Sequence, residues 1–145
     1  MCASKEDGTA CYFEKLMEEG GVETNADSLG FCWFHSEDVD WKKKVASRKL
    51  IRNHIILSLS HDESPAILFS GAVFVTPFEE IVDCIRDTYS KEVVLFFDDC
   101  RFCCDITITC REREKYLSYL RFYDSVFEGD LCLHDLNLNT LDFSG

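Results

Sequence analysis

Proline is almost absent from this chain, with only Pro65 and Pro77 in 145 residues. Together with just seven glycines, that leaves no stretch reading as a Pro/Gly linker, so a division into two domains is not expected. No internal repeat is apparent. Long hydrophobic runs are also missing. The longest nearly uncharged apolar stretch, 65–78, reaches about two thirds of the roughly 20 residues that a membrane-spanning helix needs, and it is interrupted by Ser70, Gly71 and Thr76. No transmembrane helix is expected. The opening MCASKEDGTAC places Lys5, Glu6 and Asp7 where a secretory or transit peptide would be free of acid, so export is not expected. Basic residues are scarce, 15 Lys and Arg against 27 Asp and Glu for a net charge of −12. That balance disfavours general affinity for nucleic acid or anionic membranes. There is no P-loop, dinucleotide fingerprint or HExxH, which removes the usual support for nucleotide hydrolysis and zinc proteolysis.

Cysteine is abundant, at nine. An odd count cannot pair completely within one chain, and without an export signal the reducing compartment is expected, cytoplasmic or nuclear, with thiols mostly free and structural. Cys84, Cys104 and Cys110 fall where a small apolar residue would sit. Four histidines (His35, His54, His61, His134) accompany no nucleophile signature. A minority reading is structural zinc: Cys100-x-x-Cys103 with Cys32-x-x-His35, or with Cys132-x-His134, has thiolate and imidazole ligands at workable spacing. The bland reading of reduced core thiols carries more weight, and no cofactor is expected.

Periodicity organises the rest. Tyr12 to Glu19 reads as a short amphipathic helix stopped at Gly20-Gly21, and Phe31 to Phe34 as a short strand or buried plug. The segment 41–52 (WKKKVASRKLIR) holds six of the fifteen basic residues and no acid, and reads as a helix entered behind Ser36-Glu37-Asp38. His54 to Ser60 alternates Ile55, Leu57 and Leu59 as a strand would, and Ala66 to Val75 is apolar on both faces, with Gly71 marking a bulge or close approach. Thr76-Pro77-Phe78-Glu79 opens a helix running to about Tyr89, with Phe78, Ile81, Val82 and Ile85 on one face. Val93 to Phe97 and Phe102 to Cys110 read as a β-hairpin. Arg111 to Phe127 reads as a helix on the spacing of Tyr116, Leu120, Tyr123 and Phe127, with Gly129 as its stop and a final extended segment from Leu131.

The expectation is therefore one α+β domain, 1–145, with 1–30 a loosely ordered extension and a β-α-β-β-α-β core of ferredoxin-like order from about residue 66, plus an added N-terminal strand and helices. Val93 to Phe97 fits that order poorly, being apolar on both faces where an edge strand belongs. The functional expectation is a non-enzymatic protein–protein interaction or regulatory module. It would bind a partner or itself as a homodimer through an aromatic helix surface (Tyr116, Tyr119, Phe122, Tyr123), a sheet edge, or the basic stripe Lys44, Arg48 and Arg52. Two alternatives compete. One is an enzyme of unrecognised type; the other is an RRM-like nucleic-acid-binding domain using 41–52, although its RNA-binding strand would read FCCDITIT, with Asp105 on the open face.

Overall fold

The computed structural model describes residues 11–19, 21, 26–45, 47–61, 66–88, 92–109, 117–134 and 140–145. The chain is a mixed α+β protein, and three of the four helices among the described residues lie in the N-terminal half. Helix α1 spans Tyr12–Glu19, as its amphipathic pattern predicts, and buries Phe13 and Met17. The basic segment divides. Helix α2 (Val39–Lys44) is capped by the Asp38 carboxylate, which accepts from the Trp41 N–H, and ends where Val45 turns extended. Helix α3 (Ser47–His61) then runs through the residues expected as a strand. It buries Ile51, His54, Ile55 and Ser58, offsets 0, 3, 4 and 7, one stripe of a helix. The alternation of Ile55, Leu57 and Leu59 misled because two of the four buried positions are polar.

From residue 66 the elements are β1 (Ala66–Ser70), β2 (Val73–Phe74), α4 (Phe78–Thr88), β3 (Val93–Asp98), β4 (Arg101–Phe102), β5 (Ile106–Thr109), β6 (Leu117–Tyr123), β7 (Val126–Phe127), β8 (Leu131–His134) and β9 (Thr140–Ser144). All sheet pairing among these strands is parallel, in three sheets ordered β1-β3-β6-β9, β2-β4-β7 and β5-β8. Each strand thus pairs with the corresponding strand one coil further along, and the chain winds as a small three-sided solenoid. In the first coil the third side is taken by α4, which packs against β5 and buries Phe78, Ile81, Val82 and Ile85 as expected.

The ferredoxin-like order is not what the chain forms. Among the described residues the order from 66 is β-β-α followed by seven strands, and β3 and β5 are the first and third sides of one coil, with β4 between them, rather than a hairpin. The helix expected at 111–127 is strand over its described part. Its register slips by one residue at Ser118, since Val93 pairs with Leu117 but Val94 with Tyr119. That bulge places the inward Leu117 and Leu120 three residues apart, which imitates a helical step. Gly129 is not a helix stop either: it lies where a Cβ would come within 2.7 Å of the Cys104 backbone, the coil below.

A repeat does exist. Ile67-x-Phe69-x-Gly71-Ala72-x-Phe74, Leu95-x-Phe97-x-Asp99-Cys100-x-Phe102 and Leu120-x-Phe122-x-Asp124-Ser125-x-Phe127 superpose in register, and Leu141-x-Phe143-x-Gly145 begins a fourth. Phe69, Phe97, Phe122 and Phe143 stack along one axis with ring centroids 5.2, 5.2 and 5.3 Å apart and planes within 12°. Phe74, Phe102 and Phe127 form a second stack at 5.1 and 5.0 Å. Between the stacks the chain turns a corner through a left-handed residue, at φ 65° for Gly71, 55° for Asp99 and 48° for Asp124, and Gly145, at the matching position after Phe143, has φ 106°. The small residue that follows packs inside, and there Ser125 Oγ accepts from the Cys100 N–H and donates to Phe97 O.

The helical half closes the first coil. Phe13, Phe34 and His54 surround the free side of Phe69, ending the stack as capping elements of solenoids do. Lys42, fully buried, fixes this cap to the coil. Its ammonium donates to the carbonyls of Phe34, Ser36 and Val73 and lies over the Trp33 ring. No helix among the described residues is long and apolar enough to cross a membrane.

Candidate functional site

Two features carry chemistry, one where the cap meets the first coil and one on the outer face of the solenoid. At the cap, the loop 26–36 is shaped by Asp27, whose carboxylate accepts from the Leu29 and Phe31 N–H groups and from the Ser36 hydroxyl. A turn then brings the His35 and Ser36 N–H groups back to Cys32 O, which folds the Cys32-x-x-His35 spacing onto itself. The Cys32 sulfur lies 3.3 Å from His35 Nδ1 and 3.8 Å from the sulfur of Cys11, the residue immediately before α1. All three ligand atoms fall within 4.8 Å of one another.

Around this cluster the supporting bonds are in place. The Glu14 N–H donates to Cys11 Sγ at 3.4 Å, and His35 Nε2 is 3.3 Å from Ser70 O at the end of β1. Cys11 and Cys32 are buried, and His35 is half-buried beside a cleft of about 360 Å³ lined in part by Asp27, Glu37 and Asp38. Hydrogen bonding from Cys32 draws the Cys11 thiol down to about 4; burial opposes this, and His35 and the Glu14 N–H add to it. The opposite holds elsewhere. Burial pushes Cys100 up to about 12 and raises Cys84, Cys103 and Cys104.

Of the six zinc ligands suggested by sequence, the fold joins Cys32 and His35, leaves out the CxxC pair, and puts Cys132 and His134 exposed on β8. Cys100 is a buried thiol at a coil corner, 3.3 Å from Phe69 O, and Cys103 sits beside Glu128. The residue that sequence reasoning missed is Cys11. It lies 21 positions before Cys32, and no spacing rule connects a helix-preceding cysteine to a distant turn.

The second feature is the outward face of the four-stranded sheet. Its rows, read across strands, are Ala66, Val94, Tyr119, Thr140; Leu68, Phe96, Arg121, Asp142; and Ser70, Asp98, Tyr123, Ser144. Arg121 stacks over the Phe96 ring at 4.3 Å and holds both Asp98 carboxylate oxygens at 2.8 Å. Tyr119 meets Phe96 edge-on at 5.7 Å, and its hydroxyl reaches Asp142. Leu68 and Tyr123 are exposed.

No family model matches the chain, and no curated protein or solved structure matches it. The expected partner-binding residues therefore stand on position alone. Tyr119 and Tyr123 share the outward sheet face, whereas Phe122 is 2% exposed in the central stack and presents no surface. Tyr116 lies outside the described residues. Lys44 and Arg52 are exposed on α2 and α3, and Arg48 pairs with Asp87 at 3.2 Å.

Proposed function

We propose that the chain is a non-enzymatic protein-binding module that presents the outward face of its four-stranded sheet to a protein partner. The observation that carries this reading is the composition of that face. Leu68, Val94, Phe96, Tyr119 and Tyr123 adjoin a guanidinium already oriented by stacking and a carboxylate, and Tyr, Phe and Arg are the residue types that dominate interface energetics. Parallel sheets are ordinarily covered on both faces, and the described residues leave this one open. An enzymatic reading finds less support, because Cys11, whose thiol is drawn down by hydrogen bonding from Cys32, is fully buried among the described residues and offers no access to a substrate.

A photo-crosslinking residue at Tyr123 should capture a protein or a second copy of the chain that the same group placed at Ile56, exposed on α3, does not. Leu68→Glu with Tyr123→Glu should weaken that complex at least about 30-fold, the effect of losing a hot spot, with unchanged melting. Equal binding by the double variant would end this reading.

A further inference from the structure

We infer that Cys11, Cys32 and His35 form a zinc site that clips the start of α1 to the turn at 32–35 and, through His35, to the end of β1. This stands apart from the sheet face and does not depend on it. In a tetrahedral zinc centre with Zn–S near 2.3 Å and Zn–N near 2.0–2.1 Å, ligand atoms lie roughly 3.5–3.8 Å apart. The observed 3.8 Å between sulfurs and 3.3 Å from sulfur to Nδ1 are close to those edges. Two soft thiolates and an imidazole are the donor set zinc takes.

The outer bonds fit as well. The His35 Nε2–H donates to Ser70 O, which fixes the tautomer and aims the Nδ1 lone pair at the sulfurs, the arrangement metal-bound histidines use. The Glu14 N–H donates to Cys11 Sγ, which supports a thiolate there. The cleft beside His35, with Asp27, Glu37 and Asp38 in its lining, gives a cation an entry path. Three protein ligands leave the fourth tetrahedral position to a water.

The full chain, purified under reducing conditions without chelator, should carry about one zinc per molecule by elemental analysis. Cobalt(II) added to the metal-free chain should saturate at one equivalent with a sulfur-to-cobalt charge-transfer band and intense tetrahedral d–d bands. Cys11→Ser and Cys32→Ser should abolish both, while Cys100→Ser and Cys84→Ser keep them. If the serine variants fail to fold, His35→Cys decides, since it should retain one equivalent and strengthen the charge-transfer band. Background zinc with a weak octahedral cobalt spectrum, or a Cys11–Cys32 disulfide in the freshly reduced chain, would overturn the site.

Discussion

His54 shows how one buried side chain couples stability to pH. It is fully buried among Phe13, Phe34 and Phe69, with Nε2 bonded to Leu68 O and Nδ1 meeting no partner. Burial lowers its pKa from 6.5 to about 4, because a second N–H would find no acceptor. Between those values the unfolded chain binds a proton that the native chain does not. The contribution to stability is therefore full above pH about 6.5, erodes as pH falls, and is gone near pH 4, a loss on the order of 3 kcal/mol. His54→Gln keeps a donor for Leu68 O and removes the titration. Denaturant unfolding of the two proteins across this window should show the wild type losing stability more steeply; parallel profiles would contradict the assignment.

At the scale of elements, the corner of each coil is the most demanding piece of backbone. Asp99 and Asp124 hold the left-handed conformation that Gly71 and Gly145 hold in the flanking coils. Branching at Cβ is poorly tolerated there, so Asp99→Val should cost about 1–2 kcal/mol, whereas Asp99→Gly should cost nothing or stabilise slightly. Equal effects in thermal melts would mean that the corner is not constrained. The same corners explain what the sequence concealed. The helices at 12–19 and 78–88 were legible, the first from its apolar stripe and the Gly-Gly that follows it, the second from its Thr-Pro-x-Glu start and its apolar stripe. The coils were not, because the steps between their stacked phenylalanines are unequal: 28 residues from 69 to 97, 25 to 122 and 21 to 143. A repeat of drifting length escapes a search for a fixed period. It was written instead in the spacing Phe-x₄-Phe around a Gly or Asp and a small residue. Two of the three members of the thiol–imidazole cluster were readable as Cys32-x-x-His35; Cys11 joins it only through tertiary packing of the cap.

For the molecule as a whole, the uneven steps share one property: each is short. Every inter-coil strand pairing closes a loop of some 20 to 30 residues, so closure entropy differs between coils by only a few tenths of a kcal/mol. The expected order of folding runs outward from the cap, with Phe69 seating against it, Phe97 on Phe69, and each coil serving as template for the next. Pairing across one coil in a chain of this length corresponds to a relative contact order of about 0.15–0.2, which places refolding in the millisecond-to-second range. Truncating Phe97, in the second coil, should slow refolding in stopped-flow measurements. Truncating Phe143, in the fourth coil, should leave the refolding rate almost unchanged and accelerate unfolding, the signature of a position that docks after the barrier has been crossed.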